Sequence, residues 1–229
     1  MPVGKEKQTR FKGNGTEVTC GVCHLKYIHP IEAKIHTEYH TTFTKGPKWQ
    51  GTNRVGTERF KRYSDVELYT VDAEDTKQIA ATAKVLELVD RELGAADSPT
   101  HWRQGALTIV ATQMGRAVGI VVTEPVSEDQ GRWMMSTSRQ VVPNQVNRLV
   151  KVGIARVWVC GAWRRRGLGI RLLRAVQAYL KLSPQQIAFS QPSNAGGKLA
   201  QTFCGVTHKL GQVLIPVYVD AEMTQTPLS

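Results

Sequence analysis

Val157-Trp158-Val159-Cys160-Gly161-Ala162-Trp163-Arg164-Arg165-Arg166-Gly167-Leu168-Gly169-Ile170 is the stretch on which the reading of this chain turns. Residues 154–160 form an apolar, β-branched run of the kind that makes a buried strand. Residues 167–182 place Ile170, Leu173, Val176 and Leu180 on one face of a helix, which Ser183-Pro184 ends. Between them lies a turn with three arginines and two glycines. Glycine lets a backbone come close to a ligand, and successive N–H groups at a helix N-terminus cradle a diphosphate. The arginines add positive charge beside it. A solvated basic turn and a nuclear-localisation cluster at Arg164, Arg165 and Arg166 are the alternatives. The position after a strand and before an apolar-faced helix favours the anion site.

Working outward, residues 66–71 alternate like a strand, and 76–93 carry Ile79, Ala83, Leu86, Val89 and Leu93 at helical spacing before Gly94. Short β-branched runs at 107–111 and 118–123 flank Gly115 as a hairpin would. Further strands are expected at 132–136, 187–190 and 213–219, the last interrupted by Pro216, with a helix at 198–203 closed by Gly205. Strands, helix, strand, helix, strand in that order make an α/β (α+β) domain over 64–220. Residues 1–18 read as a flexible basic tail, 43–63 as a linker with Trp49 as an anchor, and 221–229 as a C-terminal tail.

The chain has 229 residues, 41% hydrophobic and 21% charged, which suits one medium domain plus a small appendage. No apolar run approaches the roughly 18 residues that cross a bilayer, and the charged start MPVGKEKQTRFKG has no apolar core of a secretory signal. Four cysteines are too few for a disulfide scaffold. These features place the protein in the cytosol or nucleus. The formal charge of +11 suits a polyanion or a phosphate-rich coenzyme and does not choose between them.

Cys20-x2-Cys23-x12-His36-x3-His40 is the spacing of a two-cysteine, two-histidine zinc finger over 19–42. The cysteines sit on a tight knuckle and the histidines one helical turn apart, so four ligands can meet tetrahedrally. Tyr27 fills the aromatic core position and Pro30 can open the helix. So short a unit cannot bury enough core by itself; metal binding, on the order of 10–16 kcal/mol, becomes its folding energy. His24 and His29 are alternative ligands at poorer spacing. The base-reading positions of such a finger fall on His29, Glu32 and Ile35, none an arginine or asparagine, which favours a structural or protein-docking role over sequence-specific DNA reading.

The turn fits R-x-x-G-x-G, and here the chain resembles the GNAT acetyltransferase superfamily. Residues 153–159 with the arginine loop are similar to the sister-chromatid cohesion establishment N-acetyltransferases. So are Ile187 to Pro192, Gly197 to Ala200, the segment from Leu88 to Gly94, the strand ending at Glu124, and Gly131 to Met134. The likeness runs from about Cys20 to Val219 and is greatest to fungal members. It implies a GNAT-type mixed central sheet flanked by helices behind a ββα zinc finger. It also implies acetyl transfer from acetyl-CoA to lysines of the cohesin ATPase head in S phase, in the nucleus, on chromatin. The backbone of Val157, Trp158 and Val159 would hold the thioester end. Arg165, Arg166, Gly167, Leu168, Gly169 and Ile170 would hold the pyrophosphate, with Ser193, Asn194 and Ala195 bordering the pantetheine. Zn2+ would be held by Cys20, Cys23, His36 and His40.

The general base is not given by the resemblance. Some members have a serine where this chain has Ala155, an aspartate where it has Gln191, and an acid where it has Arg174. Glu124, at the end of its strand, is the candidate, with a surface carboxylate at a strand end as the alternative. Cys160 as an acetylated intermediate is weighed against a plain core thiol, which is the favoured reading, and His208 reads as an exposed loop histidine. Gln8-Thr9-Arg10-Phe11 faintly resembles the start of a sliding-clamp-binding motif without its aromatic pair, against a plain tail. A nucleic-acid-binding finger protein with a non-catalytic α/β domain, or a GNAT acting on histones, are the competing functions.

Overall fold

A computed structural model describes residues 15–60, 65–94, 106–190, 192–209 and 211–219. The tail motif at Gln8, the C-terminal tail and Gln191 lie outside the described residues. The chain divides into two compact units, 1–44 and 45–229.

The small unit is ββα. Strands β1 (Thr16–Thr19) and β2 (Lys26–His29) pair antiparallel, and α1 (Ala33–Lys45) follows. Pro30 lies in the turn before α1, three residues upstream of the first helical position. Glu32 reaches back to accept from the Ile28 N–H at 2.7 Å, so that turn is closed by a side chain. None of the α1 residues is fully buried. An element with no buried face depends on something other than apolar packing.

In the large unit, ten strands form one mixed sheet among the described residues. They are β3 (Arg54–Glu58), β4 (Val66–Thr70), β5 (Thr108–Gln113), β6 (Arg116–Pro125), β7 (Gly131–Met135), β8 (Val141–Val146), β9 (Val152–Val159), β10 (Ile187–Phe189), β11 (Val206–Thr207) and β12 (Val213–Tyr218). Their order is β3-β4-β5-β6-β9-β10-β12-β7-β8, with β11 beside β12. The pairs β9–β10 and β10–β12 are parallel and the others antiparallel. The stretch read as a linker therefore contributes edge strand β3, and Trp49 is buried with its indole N–H donating to Thr82 at 2.9 Å. β8 was not legible: its residues are mostly exposed and include Pro143, so neither alternation nor apolarity marks it. Pro216 does not interrupt β12, which pairs through it with Trp133.

Helices cover both faces. Gly119 on β6 points its missing Cβ at Leu172 and Leu168 of α3 (Leu168–Leu180), 3.0 and 3.3 Å away. Trp158 pairs with the next residue, Ile120, so its side chain takes the other face and donates to Glu92 of α2 (Thr76–Leu93) at 3.0 Å. The core is rich in β-branched residues from the central strands, with Val85 and Val89 of α2 and Leu172, Leu173 and Val176 of α3 fully covered. α4 (Asn194–Cys204) packs beside α3 and starts four residues before the expected 198, because Ser193 caps it by accepting from the Gly196 N–H at 3.2 Å.

Asp75 caps α2, accepting from the N–H groups of Lys77 and Gln78 at 2.9 and 3.1 Å, and Gly94 ends it in the left-handed conformation at φ 63°. Donation from the Gln78 backbone and side chain holds the Asp75 carboxyl below its ordinary value. A depressed carboxyl stabilises the fold above its unfolded pKa, and that contribution is lost as pH falls through the folded value. Asp75→Ala should therefore lower Tm at pH 7, and the difference from wild type should shrink as pH drops below the ordinary carboxylate range. An equal loss at both pH values would assign the effect to something other than the ionised cap.

Candidate active site and metal centre

The site follows from one mismatch in strand length. β10 pairs with only the first three residues of β9, Ile187 with Val152, Ala188 with Gly153 and Phe189 with Ile154. On its other side β9 stays paired with β6 to Val159. Among the described residues no strand pairs with the β10-facing edge of β9 over 155–159. Alternation fixes which peptide groups face that gap. The Cys160 N–H donates to the Val118 carbonyl on β6 at 2.9 Å, so Val159 and Val157 turn their backbone groups the other way, into the gap. The Val159 carbonyl, at the top of it, accepts from Arg164 Nε at 2.9 Å.

A β-bulge opens the gap. Thr123 pairs with Ile154 and Val122 with Arg156, leaving Ala155 as the extra residue. Ser190 closes the lower end, its N–H donating to the Ile154 carbonyl at 3.2 Å and its Oγ lying 3.4 Å from the Ile154 and Ala155 carbonyls.

At the upper end a 3-10 turn (Gly161–Trp163) leads through Arg165 and Gly167, both left-handed at φ 62° and 86°, into α3. No side chain caps α3, and its first internal bond runs from the Arg171 N–H to the Gly167 carbonyl at 3.2 Å. The amides of Leu168, Gly169 and Ile170 are left as a helix-terminal anion site. Gly167 is needed for its dihedral: a Cβ there would meet nothing within 4 Å, but φ 86° is poorly accessible to L side chains. Gly169 also serves packing: its missing Cβ would come 3.3 Å from both Leu199 Cδ atoms, so it lets α3 and α4 approach each other. Arg165 is exposed, and Arg166 lies over the Trp163 ring at 5.5 Å. Arg171 pairs with Glu58 of β3 and lies 4.4 Å over Phe60, tying α3 to the edge strand.

α3 follows β9 and α4 follows the parallel β10, so both helices begin at the same end of the sheet. That brings Ser193, Asn194 and Ala195 to the rim of the gap, all exposed. Their segment is pinned by Arg139 in the β7–β8 turn, whose guanidinium donates to Asn194 Oδ1 at 2.7 Å and to the Pro192 carbonyl. Nothing in the sequence around Arg139 marks that role. Trp158 differs from its neighbours: its peptide faces β6 and its indole is buried.

Glu124 sits half-buried opposite Gly153 on β9 and accepts from the Tyr218 hydroxyl. A Cβ at Gly153 would come 2.6 Å from the Tyr218 ring, so the glycine lets the tyrosine lie across β9. Gly153 is two residues from the bulge, about 7 Å along the strand. Cys160 is fully buried and burial raises its thiol above the ordinary value; burial pushes Cys204 up to about 12. Both are core thiols, and neither is a thiolate nucleophile at neutral pH.

In the finger the ligand atoms of Cys20, Cys23, His36 and His40 lie within 4.8 Å of one another. Cys20 Sγ is 3.4 Å from His40 Nδ1. A tetrahedral ion at about 2.0–2.3 Å from each donor sets them roughly 3.3–3.8 Å apart, so the cluster fits one. His36 Nε2 is buried with no hydrogen-bond partner, as befits a nitrogen whose lone pair is free to ligate a metal. The His36 ring stacks on Tyr27 at 4.1 Å. Backbone N–H donation from Cys23 and then Val22 pulls the Cys20 thiol down to about 5, while burial raises Cys23. These four residues can hold a metal ion.

With this geometry in view, a family model described as ESCO1/2 acetyl-transferase matches residues 148–214, which span the gap and both helix starts. The N-acetyltransferase ECO1 of Debaryomyces hansenii is 36% identical over 88% of this chain and 82% of its own length. The chain belongs to the ECO1/ESCO family of N-acetyltransferases. That of Saccharomyces cerevisiae is 30% identical over 88% and 89%. Among solved structures, the xEco2 acetyltransferase domain bound to a K105-CoA conjugate matches at TM-score 0.55 and 26% identity, over 72% of this chain and 99% of that one. The chain is thus an acetyltransferase of GNAT fold.

Since α1 buries no residue, the finger should lose its fold when its metal is chelated. Adding EDTA to the purified chain is expected to expose 15–45 to protease while 45–219 stays resistant. A finger that resists cleavage after chelation would contradict this.

Proposed function

We propose that this chain is a nuclear, acetyl-CoA-dependent protein-lysine N-acetyltransferase. Its acceptors are lysines of the cohesin ATPase head, and it serves sister-chromatid cohesion in S phase on chromatin. The observation that carries the reading is the unpaired edge of β9 running up to the uncapped N-terminus of α3. Such an edge accepts an extended amide-bearing chain as a strand would be accepted, and the helix start takes the diphosphate beyond it. Pantetheine followed by pyrophosphate has that order of groups. The exposed segment Ser193–Ala195 flanks the chain's path, and Arg165 and Arg166 add charge beside the diphosphate. The Arg164 guanidinium, now on the Val159 carbonyl, is displaced when the amide chain takes that acceptor.

A lysine with a pKa of about 10.4 is only ~0.1% neutral near pH 7.4, so its proton must be removed. Glu124, engaged by Tyr218 and opposite Gly153 two residues from the bulge, is the proposed acceptor. The Val157 amide, pointing into the gap just above the bulge, is placed to donate to the oxygen of the thioester as negative charge develops there. Direct attack by the amine needs both reactants in one cleft, and xEco2 crystallised with a CoA conjugate named for K105 is consistent with that route. In the finger, two thiols and two imidazoles at tetrahedral spacing suit zinc, which would supply folding energy and no chemistry. Ile28, Ile31 and Ile35 on its outer surface are exposed, which favours protein docking over base reading.

Incubation with acetyl-CoA and a recombinant cohesin ATPase head, followed by mass spectrometry, should show acetylated lysines on the head. Gly167→Asp offers its own carboxylate to the α3 amides and should weaken CoA binding by about a hundredfold. The left-handed φ of 86° also lowers Tm, and Gly167→Ala, with the same backbone strain and no carboxylate, is the control and should bind CoA more tightly than Gly167→Asp. Glu124→Gln should lower turnover at least about tenfold and leave CoA affinity unchanged. Acetylation of histone tails with none on the head would replace the acceptor. Full CoA affinity in Gly167→Asp would remove the diphosphate from α3.

A further inference from the structure

The last turn of α2 carries two acidic residues that reach the open half of β9. Glu92 accepts from the Trp158 indole and pairs with Arg164. Asp90 makes the more telling contact. Its Oδ1 accepts from Arg156 Nε at 2.7 Å, and both side chains are about one-fifth exposed, at 21% each. The same guanidinium donates through Nη1 to the Ala155 carbonyl at 2.9 Å. Ala155 is the bulge residue, left out of the ladder to β6. Arg156 thus has one edge fixed by a carboxylate on a helix and the other closing on the displaced peptide. Asp90 is itself held, because its own carbonyl accepts from the Gly94 N–H that ends α2.

We infer that Asp90, acting through Arg156, is a positioning residue for acetyl transfer: the pair sets the geometry of the Ala155 bulge and so aims the Val157 amide. This rests on the reading of that amide given above. A bulge without a fixed acceptor can relax toward regular pairing, which shifts the peptides beside it and with them the Val157 amide. Displacement of a reacting group by about 1 Å costs on the order of 100-fold in rate. The diphosphate site is on another segment and is untouched by that relaxation.

The test compares the full chain with Asp90→Ala, Asp90→Asn and Arg156→Lys. It measures kcat and KM for acetyl-CoA with the cohesin head as acceptor, Tm, and hydrogen exchange of the 152–159 peptide. Asp90→Ala should lose kcat by about ten- to a hundredfold with KM for acetyl-CoA within about threefold, assayed well below its Tm. Asp90→Asn keeps an oxygen acceptor for Arg156 Nε and should restore most of the turnover. Arg156→Lys lacks the planar fork that spans both partners and should behave like Asp90→Ala. Exchange should rise at the bulge in both impaired variants. Loss of Tm with kcat retained, or an equal loss of kcat in Asp90→Asn, would overturn the inference. If the wild-type chain does not acetylate the head, the acceptor reading fails, while unchanged exchange at 152–159 in Asp90→Ala would still sink this one.

Discussion

An interior strand with no strand partner on one edge over 155–159, among the described residues, is the constraint on which this molecule is built. Backbone N–H and C=O groups within a sheet must find partners, and leaving them open costs free energy unless water or a ligand supplies the missing bonds. β9 meets its obligations to β6 at every residue but the bulged Ala155, and to β10 for only three residues. The bulge at Ala155 and the shortness of β10 are two sides of one arrangement: the strands part, and the peptides of Val157 and Val159 are left facing a gap. The arginine loop, the left-handed Gly167 and the uncapped start of α3 extend that line of unsatisfied donors beyond the strand. An acyl donor that is part amide chain and part diphosphate completes what the fold leaves incomplete.

The rest of the large unit holds that opening in place. α2 grips the open half of β9 from one face through Asp90 and Glu92, and α3 closes the other with Leu168 and Leu172 over Gly119. Gly169 is the point where α3 and α4 come together, so one loop glycine serves a dihedral and the other serves packing. Arg139 pins the start of α4 from the far side of the sheet. Trp49, buried beneath α2, turns the segment after α1 into part of the same core. The small unit has a separate basis for its stability, a buried imidazole nitrogen and two thiols around one point.

What the sequence disclosed follows from how local each signal is. The metal cluster is encoded by four residues at fixed spacing, and the structure assembles those four. The strand–loop–helix at 154–170 combines a β-branched run, two glycines and an apolar-faced helix, all within one window. β3 and β8 were missed because both are edge or near-edge strands whose exposed faces suppress alternation. Asp90–Arg156, Arg139–Asn194 and Tyr218–Glu124 join residues 55 to 94 apart. Such pairs carry no period or motif, and only the fold brings them together. Gly169 shows a subtler limit: the motif predicts a glycine, but whether its bare Cα faces a ligand or a leucine depends on a helix that is still to come.

The central claim is that the β9 edge and the α3 start form one continuous binding line. Titrating CoA into the 15N-labelled chain and following amide resonances tests it directly. The account predicts that Val157 and Val159 shift together with Leu168, Gly169 and Ile170, at one common saturation, while the finger amides stay still. Shifts at the α3 start with none on β9, or none at either, would contradict it.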